Sequence, residues 1–310
     1  MVLVAVALVG CTAASPPSPT PTGQGIVAEV ASYQMVAGQP GRLLVALLAG
    51  DNRWLSFGSV DVHFVYLGDE NRTPSADVGT SPATAVFLPI PGSPAGTGRL
   101  STLTLPADGR GVYAVESVTL PRAGYWRVVA AGRLEDGSTF EADAAFTVLD
   151  QPSVIAVGML APHTENPVIG TPGVPLSAID SRAAGSGAVP DPDLHTTTIA
   201  QAIALGRPAL VVFSTPVYCV SRFCGPVTDL VAELAARYAD RAAFIHIEIY
   251  RDFQAGQVNQ AALDWLMPPS GDLREPWTFL IGANGRIAAS WDTVVTRGEI
   301  EPLLASLPPR

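Results

Sequence analysis

Two cysteines, Cys219 and Cys224, stand five residues apart directly after the apolar run 208–213. Thiols this close in sequence can form a disulfide, and a disulfide can exchange with the thiols of another protein. The bond requires Cα atoms within about 7 Å, whereas residues five apart on one helix lie about 140° apart around its axis. We therefore predict that the segment between the two cysteines is not helical, at least in the oxidised protein.

A helix is predicted to follow the cysteines directly. Pro226 suits a first helical turn, and apolar residues then recur at helical spacing. Cys224 would lie just before this helix, where free N–H groups and the helix dipole stabilise a thiolate. Arg222, between the two cysteines, would favour either thiolate electrostatically.

The C-terminal part of the chain alternates predicted strands and helices. In order, the pattern predicts a strand at 208–213, a cysteine loop at 215–225, a helix from 226, a strand at 243–250, a helix at 254–266, strands at 277–281 and 287–291 joined by a turn at 283–286, and a helix at 299–307. The continuous apolar run at 208–213 is typical of a strand buried on both faces.

This order resembles the thioredoxin fold over about residues 170–310. Residues 210–219 resemble the family's passage from strand to first cysteine, with an aromatic residue, Tyr218, directly before that cysteine. Residues 275–281 resemble its cis-proline loop, and 282–287 match the following turn. The resemblance implies that Pro276 lies opposite the cysteines. It also departs from the family, because thioredoxins carry C-x2-C and this chain carries C-x4-C.

The resemblance implies thiol-disulfide exchange with a protein partner, without a cofactor. Its alignment makes Cys219 the attacking thiol and Cys224 the resolving one, while helix electrostatics favour Cys224 as the nucleophile, so both assignments stay open. Residues 210–213 include no Asp that would accept a proton. Glu248 and Glu275 are the candidates to replace it.

Three other interpretations remain. The cysteine segment also resembles the C-x4-C helix of bacterioferritin-comigratory peroxiredoxins, which implies peroxide reduction, although Thr215 is one residue too far from the cysteine. Sco-type copper carriers have a C-x3-C pair and a distant His, so Cys219, Cys224 and His246 form an alternative metal site. A structural disulfide in a surface lipoprotein is the third interpretation.

The N-terminal part is predicted to be all β. Short β-rich runs separated by Gly, Pro and Asp turns occur at 42–48, 60–67, 100–105, 112–120, 125–131 and 140–149. They predict a sandwich over 26–150, whose final hairpin resembles Ig-like modules of bacterial envelope proteins, including the YtkA-like group. A Pro/Gly-rich connector, 151–196, leads to the thioredoxin-like α/β domain at 197–310. The expected fold therefore has two domains.

The first residues predict the cellular location of the protein. An apolar leader ends in Leu-Val-Gly-Cys at Cys11, which resembles the lipobox of bacterial lipoproteins, although no Lys or Arg precedes the apolar run. The segment 1–11 is thus interpreted as a signal with a lipidated cysteine, and 12–25 as a Pro/Ser/Thr tether. We expect an extracytoplasmic, membrane-anchored protein, in which a disulfide can persist.

The amino-acid composition excludes some classes of function. The 310 residues are 48% hydrophobic, enough for two buried cores. All 18 basic residues are Arg, which excludes a lysine nucleophile or Schiff base. A net charge of −10 argues against nucleic acid as a partner.

Overall fold

The computed structural model describes residues 25–69, 82–268 and 270–309. The predicted leader, Cys11 and the tether up to residue 24 lie outside these described residues. Within the described ranges, no helix combines the length and the apolar composition needed to cross a bilayer.

In the described residues of the N-terminal part, ten strands occur: β1 Ile26–Val30, β2 Met35–Val36, β3 Pro40–Ala49, β4 Trp54–Ser56, β5 Ser59–Gly68, β6 Ala83–Pro89, β7 Thr102–Thr104, β8 Gly111–Thr119, β9 Gly124–Arg133 and β10 Thr139–Leu149. Their hydrogen-bonded order is β2-β10-β9-β5-β6-β8-β3-β4-β7, with β1 on β3. All six predicted strands are present. This largely β arrangement is compatible with the expected β-sandwich.

The strands fold around an apolar core because their side chains alternate between the two faces. In β5, Val60, Val62 and Phe64 are buried while the intervening Asp61 and His63 are exposed. A turn at 134–138 joins β9 to β10. Its backbone closes through the Leu134 N–H, which donates to the Ser138 carbonyl at 2.8 Å.

The C-terminal part has the following elements: α1 Ala183–Ser186, α2 Ile199–Ala204, β11 Ala209–Ser214, α3 Cys224–Tyr238, β12 Ala243–Glu248, β13 Tyr250–Asp252, β14 Gln257–Val258, α4 Gln260–Leu266, β15 Trp277–Ile281, β16 Ile287–Asp292 and α5 Arg297–Ser306. Four strands form a sheet in the order β12-β11-β15-β16. β11 runs parallel to β12 and antiparallel to β15, which pairs antiparallel with β16.

Helices cover both faces of this sheet. Along β11, Val211 and Phe213 pack with residues of α2 and α4, while Leu210 and Val212 pack with residues of α3 and α5. The period-two alternation therefore gives the strand two apolar faces, as its continuous apolar sequence predicts.

Three predicted helix starts need correction. The helix expected at 299–307 begins at Arg297. The helix expected at 254–266 begins at Gln260, because β13 and β14 pair as a small hairpin through Tyr250 and Val258. The helix expected to open at Pro226 begins at Cys224. Pro226 is accommodated as the third helical residue because the first-turn N–H groups have no intrahelical acceptor.

The β-rich part and the C-terminal part are joined by an arginine whose side chain is 14% exposed. The Arg42 guanidinium donates to the carbonyls of Asp292, at 3.0 Å, and Val294, at 2.7 Å. It also contacts the carboxylates of Asp292 and Glu299. Since one side chain of β3 satisfies four groups of the C-terminal part, Arg42 fixes how these parts meet.

We predict that Arg42→Ala lowers the free energy of unfolding by about 3 kcal/mol, because it leaves buried acceptors without their charged donor. Urea denaturation measures the change. Arg53→Ala is the matched control, since Arg53 forms an ion pair with Asp51 in which the two side chains are 38% and 55% exposed; we expect it to cost less than about 1 kcal/mol. Equal effects of the two substitutions would contradict this role of Arg42.

Candidate functional site

The two cysteines that follow β11 form a disulfide, which confirms the predicted pairing. Their Cα atoms lie 6.0 Å apart. The two sulfurs differ in access, since the side chain of Cys219 is half-buried and that of Cys224 is fully buried. A partner can therefore reach this bond from the side of Cys219.

The segment between the cysteines is a non-helical loop, as predicted. The Cys219 N–H donates to the Thr215 carbonyl at 3.1 Å, and the Arg222 N–H donates to the Cys219 carbonyl at 3.3 Å. Arg222 has φ 61°, a left-handed conformation that costs a non-glycine residue about 1–2 kcal/mol. Its guanidinium is exposed to solvent. The turn brings Cys224 back to Cys219.

Phe223 anchors this loop on the β-rich part of the molecule. Its buried ring belongs to an apolar cluster with Leu44, Val112 and Val294. The first two come from β3 and β8, so the N-terminal strands support the cysteine loop directly. The burial of Phe223 offsets the cost of the left-handed Arg222 beside it.

Cys224 is the first residue of α3, a helix of 15 residues. Its carbonyl accepts a hydrogen bond from Thr228 Oγ1 at 2.8 Å, and Thr228 pairs with Ser214 Oγ at 2.7 Å. These bonds fix the start of the helix against the end of β11. At this position the helix dipole and the free N–H groups stabilise a Cys224 thiolate.

Glu275 brings a carboxyl group to the disulfide. One of its carboxylate oxygens lies within 4.8 Å of the sulfur atoms of both Cys219 and Cys224. Its Oε2 is buried and has no hydrogen-bond partner among the described residues. Burial, reinforced by repulsion from Glu248, raises the pKa of Glu275 to about 8, while the Thr215 N–H opposes the rise. This carboxyl can hold or release a proton near neutral pH.

The neighbouring Pro276 is buried, and the Glu275–Pro276 peptide bond is cis. The Pro276 carbonyl accepts a hydrogen bond from the Thr293 N–H at 3.0 Å. Since Glu275 reaches the sulfurs, its proline neighbour belongs to the loop beside the cysteine pair.

Glu248, the other acidic candidate, is tied to the backbone. This fully buried residue ends β12 and accepts hydrogen bonds from the N–H groups of Ser181, at 2.8 Å, and Tyr250, at 3.3 Å. Burial raises the pKa of its carboxyl. Glu248 therefore holds neighbouring segments in place and acts on the site through its charge, whereas Glu275 faces the sulfurs.

A tyrosine from the β-rich part braces the loop of Glu275. The Tyr33 hydroxyl donates to the Glu275 carbonyl, and its ring lies 5.8 Å, centroid to centroid, from that of Trp277. Burial raises the pKa of Tyr33, so the hydroxyl keeps its proton. No local pattern marks Tyr33 as a site residue, because more than 180 residues separate it from the cysteines.

Aromatic and apolar side chains surround the accessible sulfur. Tyr218 stacks on Phe253 with ring centroids 3.9 Å apart, and Tyr250 contacts Phe253 edge-on at 5.0 Å. Val217 is 54% exposed and Val220 is 97% exposed. The exposed face around Cys219 therefore combines these apolar side chains with the exposed Ser221, whose Oγ lies 3.3 Å from the Cys219 sulfur, and Arg222.

His246 is not grouped with the cysteines. Its ring is fully buried, and its Nε2 lies 3.2 Å from the Ser214 carbonyl oxygen. Its ligand-capable nitrogen falls within 4.8 Å of ligand atoms of Asp180 and His195. The alternative copper site predicted from the sequence requires His246 beside the two sulfurs. In the structure the residue beside the two sulfurs is Glu275. Asp180 and His195 lie in the Pro/Gly-rich connector, where no periodicity marks buried positions.

Comparison of the chain with protein-family models gives no match, and comparison with curated proteins gives none either. The chemistry of this site is therefore argued from its geometry.

We predict that the pKa of Glu275 makes stability depend on pH. The folded pKa, about 8, lies above the ordinary value of 4.5, so the folded protein keeps a proton that the unfolded chain loses. This contribution is complete below about pH 4.5 and is lost as the pH rises through about 8. Glu275→Gln, which cannot ionise, should therefore gain stability relative to the parent across this window.

Urea denaturation of both proteins from pH 4 to pH 9 provides the measurement. Glu141→Gln, at an exposed position of β10, is the control for simple loss of a negative charge. A difference between Glu275→Gln and the parent that stays constant from pH 4 to pH 9 would show that Glu275 ionises like a surface carboxyl.

Proposed function

We propose that this protein is a membrane-anchored, extracytoplasmic thiol-disulfide oxidoreductase that uses Cys219 and Cys224 as its redox pair. One observation carries the proposal: a half-buried sulfur is bonded to a fully buried sulfur at a helix N-terminus, and a buried carboxyl lies within 4.8 Å of both. A disulfide that only braces a fold needs neither the access nor the proton carrier.

We further propose a thioredoxin-like fold for the C-terminal part. The sheet order β12-β11-β15-β16, with helices on both faces, supports it. The positions of the cysteines also support it, since Cys219 lies in the loop after β11 and Cys224 begins α3. The cis Glu275–Pro276 bond before β15 supports it as well. For the N-terminal strands we propose an Ig-like sandwich that supports the site through Tyr33 and Phe223.

The accessible sulfur assigns the roles in exchange. In the reduced protein the Cys219 thiolate attacks a partner disulfide, forming one mixed S–S bond and releasing one partner thiolate. The Cys224 thiol then gives its proton to the ionised Glu275 and attacks the Cys219 sulfur. The Cys219–Cys224 bond forms, the second partner thiolate leaves, and two electrons have passed to the partner.

The same residues serve the opposite direction. When a partner thiolate attacks Cys219, the S–S bond breaks and its electron pair goes to Cys224. Protonated Glu275 then supplies the proton that Cys224 needs. A carboxyl with a pKa near 8 suits both proton transfers, because this value is closer to the pKa of a thiol than the pKa of an ordinary carboxyl is.

The partner in this proposal is a protein whose cysteine lies among apolar residues. Val217 and Val220, close to Cys219 in sequence, and Phe253, which stacks on the adjacent Tyr218, are exposed and offer apolar contact. Lipidation at Cys11 would hold the protein at the membrane, where such partners occur.

We predict that Cys219→Ser and Cys224→Ser each abolish reduction of insulin disulfides in a turbidity assay. Cys224→Ser should also accumulate a covalent adduct with a partner, because the attacking sulfur remains and the resolving sulfur is lost. Non-reducing gels with mass spectrometry detect the adduct. Cys11→Ser is the matched control and should keep full activity. Substantial turnover in both single variants would end the exchange hypothesis.

Glu275→Gln is predicted to slow exchange by about 100-fold, since the amide cannot carry the proton of Cys224. The rate of the parent should also change around pH 8, and the variant should lose that feature. The ionisable groups that interact with Glu275 are Glu248, Tyr33 and Tyr250. Glu248→Gln is the control for these neighbours: it removes one negative charge near Glu275, so the change in rate should move to lower pH but should not disappear. A Glu275→Gln variant with the parent's rate and pH profile would exclude proton transfer by Glu275.

A further inference from the structure

A second group of chemically active side chains lies behind the cysteine loop. Asp180, His195 and His246 are each at most 1% exposed. The Asp180 Oδ2 atom lies 3.4 Å from His246 Nδ1 and 3.6 Å from His195 Nε2. The chain has four histidines, of which His63 and His163 are exposed. The two buried ones thus converge on one carboxylate oxygen.

The hydrogen bonding of His246 calls for a cation at this point. Its Nε2 lies 3.2 Å from the Ser214 carbonyl oxygen, which can only accept, so Nε2 carries the proton. The other nitrogen, Nδ1, faces the Asp180 carboxylate without a hydrogen bond that meets normal geometry. A lone pair directed at a carboxylate is repulsive. Either a second proton or a metal ion must lie between them.

His195 distinguishes these two possibilities. Neither of its ring nitrogens has a hydrogen-bond partner among the described residues, although the ring is buried. Its nearest acceptor is Asp180 Oδ2, 3.6 Å from Nε2, and that oxygen already accepts from Arg182. Protons on both imidazoles would add two further N–H groups to this one oxygen, whereas a metal ion would be bound by the lone pairs of His195 Nε2 and His246 Nδ1 together with the carboxylate.

The spacing of the three ligand atoms fits a tetrahedral site. With metal–ligand bonds of about 2.0–2.1 Å, two ligands of a tetrahedron lie about 3.3–3.4 Å apart, against about 2.9 Å in an octahedron. The two separations from Asp180 Oδ2, 3.4 and 3.6 Å, lie at or slightly above the tetrahedral value, and the two imidazole nitrogens lie within 4.8 Å of each other. We propose that Asp180, His195 and His246 bind one divalent ion with tetrahedral preference, of which zinc is the expected example.

The charges around the site favour a divalent ion. Arg182 donates to Asp180 at 2.7 Å and forms ion pairs with Asp191 and Asp229, each at 3.1 Å. The carboxylates outnumber the guanidinium, so the surroundings of the ligands are net negative and favour a cation; Asp191 and Asp229 are 37% and 62% exposed and contribute less than the buried Asp180. Arg182 and the Ser214 carbonyl then orient Asp180 and His246, as outer partners of metal ligands do.

The ion would have a structural role, because its three ligands are closed to solvent. It would join the connector, which supplies Asp180 and His195, to β12, which supplies His246. Ser181, next to Asp180, accepts a hydrogen bond from the Val217 N–H at 3.2 Å. The ion therefore supports the base of the cysteine loop without taking part in exchange, and the inference stands independently of the proposed activity.

The test uses the full chain with its disulfide oxidised, so that the cysteines cannot bind metal. We expect one zinc ion per chain by elemental analysis after reconstitution and dialysis. Substituted Co²⁺ should give visible bands of a tetrahedral site without a thiolate charge-transfer band. His195→Gln should weaken zinc binding at least tenfold, whereas His163→Gln, which changes an exposed histidine, should leave it unchanged.

Thermal unfolding of the unsubstituted protein tests the proposal even if the His195→Gln variant does not fold. Zinc should raise its melting temperature, and a chelator should reverse the rise. Absence of zinc binding together with a melting temperature unaffected by zinc would overturn the proposal and identify His246 as an imidazolium paired with Asp180. Equal binding by the parent and a folded His195→Gln variant would overturn it as well.

Discussion

The arrangement of the site depends on a buried carboxyl held against a disulfide. Glu275 lies within 4.8 Å of both sulfurs, with one oxygen that has no hydrogen-bond partner among the described residues. Ionising such a group costs free energy, which is why its pKa rises to about 8. The Thr215 N–H donates to this carboxyl but does not offset the cost of its burial. The surrounding structure must hold it there.

That support comes from the β-rich part of the molecule. Tyr33 donates to the Glu275 carbonyl, and Phe223 anchors the cysteine loop among residues of β3 and β8. Arg42 fixes the same junction through four groups of the C-terminal part. These contacts give the N-terminal strands a physical role, since they position both sides of the redox pair.

Much of the framework could be predicted from local sequence. The long strands with alternating or continuous apolar residues, such as β5 and β11, were predicted because burial on one or both faces leaves a pattern. The strands β1, β2 and β4 are not predicted, since two to five residues carry little periodicity. β6 is not predicted because its exposed face carries Val86, so that buried and exposed positions are both apolar. Tyr33, Asp180 and His195 could not be predicted as site residues, because distant contacts alone bring them there. The early start of α3 at Cys224 depends on bonds from Thr228 to Ser214 and Cys224, which periodicity does not encode.

The central claim is that the Cys219–Cys224 bond is made to be exchanged. The most direct measurement is the reduction potential of this pair, obtained by equilibration with glutathione or thioredoxin buffers and thiol trapping. The account predicts a value above about −300 mV, within the range of proteins that exchange disulfides. A potential below about −300 mV would contradict it, because the bond would then resist reduction and serve only to hold the loop together.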